Sequence, residues 1–307
     1  MNASRSAPSH VAAIVGSVLV GAAVVATRSA VDEIGPFSLA FLRYLQGGLI
    51  LLALLAWRDS SRLRINRGDL RTFGFLGLLM YALFPVLFNT SLTFTTASRG
   101  AVILSTMPLW GALLARRYTN ERLAPVQIGG VMISVAGVTT VFTESGLNDF
   151  GGVEAITGNL LMLGAAVIAG YYGVRMKGVL KDHSALQVTA FAMAIGALIL
   201  AIPAVAEGLL RDISQASGQT LLLVVYLGIF GGALAFYLFS LALTRLSPTQ
   251  ALVYVNINPM VATLLAALLL DEPLTAFFGV GFAMVLAGLL LTNLRGQQRS
   301  NRTATAE

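Results

Sequence analysis

Between Arg245 and Asp271 the chain runs 25 residues without a charge, enough for a helix to cross the roughly 30 Å of bilayer hydrocarbon. The same run carries Thr249, Gln250, Tyr254, Asn256, Asn258, Pro259 and Thr263. Hydrocarbon solvates neither a bare side-chain amide nor an unpaired backbone carbonyl, so these groups must be satisfied inside protein. Pro259 lacks an N–H and its ring clashes with the preceding turn, which predicts a break that frees the carbonyl of Val255. At helical spacing Gln250, Tyr254 and Asn258 share one face while Thr249, Asn256 and Thr263 share another, so neither face suits lipid. Two readings follow: a substrate path at a broken helix, and a proline kink held to its neighbours by Asn and Thr hydrogen bonds.

The stretch has a twin. Adding 151 to Ser98, Pro108, Glu121, Leu123, Gly130, Ala136 and Gly137 gives Thr249, Pro259, Glu272, Leu274, Gly281, Ala287 and Gly288 without a gap. Leucine matches are cheap in an apolar chain, whereas a proline, a glutamate and two glycines in register are not. The register extends back through Gly77 and Gly228, Ala82 and Ala233, and Phe88 and Phe239, so the chain is a duplicated unit. Ser105 precedes Pro108 by the spacing that separates Asn256 from Pro259, and the carbonyl of Leu104 is the expected counterpart of that of Val255.

Hydrophobic residues are 56% of the 307 and charged ones 11%, a balance that belongs to multispanning membrane proteins. Apolar runs predict ten helices, at about 11–31, 36–57, 73–93, 100–115, 126–142, 158–174, 186–206, 220–244, 248–270 and 276–294, numbered here as spans 1 to 10. With the N-terminus inside, every basic residue except Arg28, Arg43, Arg99 and Arg211 falls in a cytoplasmic segment, and most acids fall outside. The net charge of +6 therefore sets orientation and implies no nucleic-acid partner. Five spans per half force the second half to enter from the opposite face. The expected fold is thus an all-α polytopic membrane protein of ten transmembrane helices in two inverted five-helix repeats, residues 1–148 and 149–307, with both termini cytoplasmic.

The Pro36 to Arg43 start of span 2, the Asn120-Glu121-Arg122-Leu123 and Asp271-Glu272-Pro273-Leu274 turns, and the Ala-Gly pairs at 136–137 and 287–288 together resemble the EamA-type branch of the drug/metabolite transporter superfamily. Within it the chain is similar to YddG-type amino-acid exporters. The resemblance covers nearly the whole chain and implies a central cavity between spans 1, 3, 4, 6, 8 and 9, with spans 5 and 10 peripheral. It also implies inner-membrane export of a small polar metabolite, with an amino acid first and drugs or other metabolites as the alternative.

The inventory offers an enzyme little. His10 and His183 fall outside the expected spans, no acid lies deep in one, cysteine is absent, and no phosphate-binding loop or metal-ligand motif appears, so no cofactor is expected. Candidate cavity residues are Tyr81, Asn89, Ser105, Pro108, Trp110, Tyr171, Tyr172, Tyr237, Tyr254, Asn256, Asn258 and Pro259, each with helix packing as the competing reading. Arg43, roughly 10 Å into span 2, either pairs with Asp32 or Glu33 or snorkels outward, or is a carboxylate anchor in the outer vestibule. With no midplane carboxylate, facilitated flux with weak dependence on a proton gradient is expected. A non-transporting membrane receptor or scaffold is the reading from another class.

Overall fold

The computed structural model describes residues 3–31, 33–92, 94, 100, 103–118, 124–142, 153–270 and 276–294. Ten apolar helical segments can be followed among them, one for each expected span. Span 1 is Ala3–Ala30, span 2 Pro36–Asp59, span 5 Pro125–Phe142, span 6 Val153–Val179, span 7 Ala185–Glu207 and span 10 Ala276–Leu294. Spans 3 and 8 each contain a π-helical turn: Arg67–Gly77, then Leu78–Leu83, then Phe84–Leu92 in the first, and Gly218–Tyr226, then Leu227–Leu234, then Ala235–Arg245 in the second. Span 4 is helical over Met107–Tyr118. Span 9 is Pro248–Val253, a 3-10 turn at Tyr254–Asn256, and Ile257–Leu270. The Asn120 to Leu123 and Asp271 to Leu274 turns lie outside the described residues.

Local chemistry sets the starts of these helices. Pro36 and Pro248 each occupy a first turn, where a missing N–H costs nothing. Ser184, Ser217 and Ser247 cap spans 7, 8 and 9, the last with Gln250 in a reciprocal capping box. Span 7 ends at Gly208, whose φ of 116° is reached without strain only by glycine.

Equivalent spans pack antiparallel. In the pair formed by spans 5 and 10, Gly130 faces Gly288 and Thr292, while Gly137 faces Gly281, Met284 and Val285. Because Gly281 and Gly288 are the repeat equivalents of Gly130 and Gly137, the seam is related to itself by a two-fold axis across the helices. Spans 2 and 7 do the same: Ser38 lies beside Ala204 and Glu207, Gly48 beside Ala194, and Gln187 donates to the carbonyl of Arg62 at 2.9 Å. Gly77 of span 3 rests on span 7 at Ala192, as Gly228 of span 8 rests on span 2 at Gln46. Span 1 packs on spans 8 and 9, and span 6 on spans 3 and 4. The two halves are therefore inverted copies, as the odd span count requires. Spans 5 and 10 leave Ile128, Met132, Val280 and Leu290 exposed, a lipid-facing rim.

Charged connectors divide the bundle into a basic end, with Arg58 to Arg71 and Arg175 to Lys181, and an acidic end, with Glu33, Glu207 and Asp212. At the acidic end the carboxylates cap helices across the repeat. Glu33 accepts from the backbone N–H of Ser217 at 2.6 Å and its hydroxyl at 3.0 Å, Glu207 accepts from Ser38 N–H at 2.7 Å, and Asp212 from Gly35 N–H at 3.0 Å. The N–H bonds of Ser217 and Gly35 hold the carboxyls of Glu33 and Asp212 below their ordinary values.

Two predictions follow from this packing. A Cβ at Gly130 would sit 2.7 Å from the Gly288 carbonyl oxygen and the Thr292 nitrogen, whereas one at Gly129 meets nothing within 4 Å. Gly130→Ala should lower stability by about 1–3 kcal/mol and Gly129→Ala should not, measured by thermal unfolding in detergent; equal effects would refute the seam. The depressed carboxyls add stability that is complete above the unfolded values of about 4 and lost as pH falls through the folded ones. The melting temperature of wild type should therefore fall on the acid side, and a Glu33→Gln/Asp212→Asn variant should lose much of that acid limb. An unchanged limb would assign it elsewhere.

Candidate functional site

The two proline-bearing helices break at equivalent places. In span 9 the α-helix gives way at Tyr254–Asn256, and Pro259 lies in the first turn of the resumed helix. With its amide nitrogen turned toward span 1, Asn258 donates to Val255 O at 3.2 Å and to Ser17 O at 2.8 Å. The carbonyl that Pro259 strands is thus recovered by the side chain one residue before it, which also binds span 9 to span 1. In span 4 the irregular turn falls at Ser105 and Thr106, which the repeat aligns with Asn256 and Ile257. There Thr106 donates from backbone and hydroxyl to Ile103 O, and the Trp110 indole donates to the Thr106 hydroxyl at 3.1 Å. Ser105 and Pro108 are buried beside that turn. Trp110 is half-buried, its Cβ close to Gly170 of span 6.

The remaining candidates fall into separate groups. Asn256 is buried and donates to Ser134 of span 5 at 2.9 Å, so it fastens the break to the outer scaffold. Tyr254 lies on the other side of the turn, its hydroxyl 2.7 Å from Nδ1 of His10. His10 was expected in a solvated loop; instead the first helix starts at Ala3 and carries it, half-buried, against the broken span. The expectation erred because Met1 to His10 reads as a polar lead-in, whereas the helix already runs from Ala3 with Pro8 inside it.

A tyrosine layer crosses the middle of the bundle. The Tyr81 ring meets Tyr44 edge-on at 5.2 Å and Phe236 at 5.1 Å, and its hydroxyl lies 3.3 Å from that of Tyr172. Tyr172 continues to Ser240, which accepts from Thr189 at 2.7 Å. Nothing in the spacing of Tyr44, Thr189 or Ser240 singled them out; only tertiary packing brings them to Tyr81 and Tyr172. Tyr237 is half-buried and packs against the same core. Tyr171 points elsewhere, to Phe75 and Tyr118 at the basic end, where Arg175 covers the Phe75 ring.

Both ends of the bundle are packed, and one turn of span 3 stands out between them. Toward the basic end Ala242, Leu243, Leu246, Ala251, Leu252 and Val253 are all buried. Toward the acidic end Ala30, Ile34, Leu39, Val224 and Leu227 are buried as well, whereas every residue from Val86 to Thr90 is only half-buried. Asn89 in this turn makes one long bond, 3.3 Å, to Pro36 O. Arg43 reaches from span 2 to the Gly231 carbonyl in the π turn of span 8, at 2.6 Å. Glu33 is engaged with Ser217 rather than with Arg43, and Asp32 lies outside the described residues.

Two inverted halves, each with a proline-broken helix beside a polar middle layer, are the architecture of a membrane carrier. Comparison with known proteins agrees: the EamA-like transporter family matches the chain twice, over residues 8–143 and 156–294. The chain belongs to the EamA-like transporter family. This EamA-like transporter is 25% identical over 299 residues to the uncharacterized transporter YetK of Bacillus subtilis, covering 97% of this chain and 90% of that one. It is 27% identical over 282 residues to a protein of Streptantibioticus cattleyicolor named a probable terminal-alkyne amino-acid exporter, covering 91% of each. A solved crystal structure shares its fold, with a TM-score of 0.77 at 22% identity over 94% of this chain and 98% of the other. EamA-like transporters are multi-pass membrane proteins that move small molecules, and the bilayer-length helices described here fit that role.

The Asn256 bond to Ser134 gives a local test. Asn256→Ala and Ser134→Ala should each destabilise the transporter by about 1–3 kcal/mol, and the double variant by little more than one of them. Fully additive losses in a thermal or denaturant titration would show that the two side chains are energetically independent.

Proposed function

We propose that this EamA-like transporter is a secondary exporter of small polar metabolites, with amino acids as the leading class, working by alternating access across the inner membrane. The observation that carries the proposal is the pair of equivalently broken helices, spans 4 and 9, set in inverted halves that we assign to residues 1–148 and 149–307. Inverted repeats offer two related packings, and exchanging them moves an opening from one membrane face to the other. Residues packed at the basic end, among them Leu243, Leu246 and Val253, and the half-buried turn at Val86 to Thr90 support a path that opens through that turn at the acidic end. The basic end is the cytoplasmic one in this proposal, with both termini there, because loops rich in Arg and Lys are retained inside.

Tyr81, Tyr172, Tyr237, Asn89, Ser105, Trp110, Tyr254 and Asn258 line or border this path, with Pro108 and Pro259 shaping it. Their hydroxyls and amides suit a neutral or zwitterionic cargo through hydrogen bonds. The amino-acid class is supported by the exporter of Streptantibioticus cattleyicolor named above, and other polar metabolites are the outcome if amino acids fail.

The test is counterflow and net efflux in proteoliposomes loaded in turn with each of the common L-amino acids. Saturable counterflow of at least one is expected, and it should change little when a pH gradient is imposed at zero membrane potential. Absence of counterflow for any amino acid would sink that substrate class. Uphill accumulation driven by the pH gradient alone would contradict facilitated flux and make His10, half-buried against Tyr254 of the broken span, the first to replace.

A further inference from the structure

Arg43 carries a charge that no carboxylate among the described residues answers. It lies seven residues past Pro36, roughly 10 Å down span 2. Its Nη2 donates to Gly231 O at 2.6 Å, and its Cζ sits 5.5 Å from the centre of the Tyr44 ring. Its Nε is buried and has no hydrogen-bond partner. No carboxylate among the described residues pairs with it: the ion pairs there are Arg62 with Asp59, His183 with Asp69, and Arg211 with Asp212. The acids of the nearby end, Glu33, Glu207 and Asp212, are committed to backbone N–H groups.

The surroundings are built for the guanidinium. Gly231 belongs to the π turn of span 8, and its carbonyl accepts from Arg43. A Cβ at Gly231 would come within 2.8 Å of Ala23 Cβ and 3.3 Å of Arg43 Nη2, so glycine there leaves room for the arginine between spans 1, 2 and 8. A cation held at membrane depth by one carbonyl and an aromatic face, with a buried donor unused, is costly unless an anion completes it.

We propose that Arg43 binds the carboxylate of the cargo, which makes the substrate class a small monocarboxylate or zwitterion. The proposal rests on the transporter reading above and assigns the recognition group within it. A planar guanidinium takes a carboxylate through two parallel N–H bonds, and one such group with no second cation beside it suits a monoanion better than a phosphate. The Tyr44 ring beside the guanidinium, edge-on to Tyr81, gives this anchor an aromatic flank.

The experiment compares matched acid and amide probes, L-leucine with L-leucinamide and L-phenylalanine with L-phenylalaninamide, by thermal shift and calorimetry on the protein in nanodiscs. Wild type should be stabilised by at least one acid and not by its amide. Arg43→Gln should weaken that acid by about tenfold or more, while Arg43→Lys, which keeps the charge but loses the fork, should weaken it less. Should Arg43→Gln fail to fold, the wild-type acid/amide contrast and Arg43→Lys decide alone. Binding of amide and acid alike, no binding of either acid, or an Arg43→Gln affinity within about twofold of wild type would each overturn the assignment. If a neutral solute is carried in proteoliposomes while no carboxylate binds, the transporter reading stands and this one falls; if nothing is carried, both fall.

Discussion

A backbone carbonyl released inside a bilayer has no water to accept from, and the polar interior of this protein follows from that constraint. Where Pro259 strands Val255 O, Asn258 supplies a donor and also reaches Ser17 O of span 1. Where span 4 breaks, Thr106 closes the turn through its own hydroxyl and anchors Trp110. Where span 8 widens into a π turn, Arg43 arrives at Gly231 O, and at the end of the same span Lys177 reaches the carbonyls of Leu243 and Thr244. Each irregular turn thus brings a polar side chain to a depth where an unbroken helix would present only methyl groups. The residues that repair the backbone are thus the same polar residues assigned to the proposed path.

The break in span 9 is held from two sides. Asn256 ties it to Ser134 on the glycine seam of spans 5 and 10, where Gly130 and Gly288 let two backbones touch. Tyr254 and Asn258 tie it to span 1 through His10 and Ser17 O. The first attachment joins a close-packed pair; the second joins span 1, where Gly21 lets the backbone approach Asn258 O and Val261.

The sequence made the breaks and the seam legible because each rests on a local rule. Pro259 dictates a stranded carbonyl, and the matched glycines at 130, 137, 281 and 288 dictate close approach wherever their helices meet. The direction of Asn256 and Asn258 was not legible. Periodicity assumes about 100° per residue, and the 3-10 turn at Tyr254–Asn256 advances by about 120°, which redistributes the faces just where the polar residues lie. The π turns left no sequence signature beyond glycines at 228, 231 and 232, which equally describe an ordinary packing face. Tyr44 was passed over beside Arg43 because a lone tyrosine in an apolar run carries no message until Tyr81 and Phe236 are seen to meet it.

The absence of cysteine from the sequence makes the access question directly measurable, since any introduced thiol is the only one present. Asn89→Cys and Ala251→Cys sit on opposite sides of the tyrosine layer, the first in the half-buried turn and the second fully buried. Labelling of each with a membrane-impermeant maleimide, from each face of sealed vesicles, reads the opening. At rest Asn89→Cys should react from the acidic face only and Ala251→Cys from neither; a transported solute should protect the first and expose the second to the basic face. Simultaneous reaction of both, or an Ala251→Cys thiol that stays closed during demonstrated transport, would contradict alternating access through this layer.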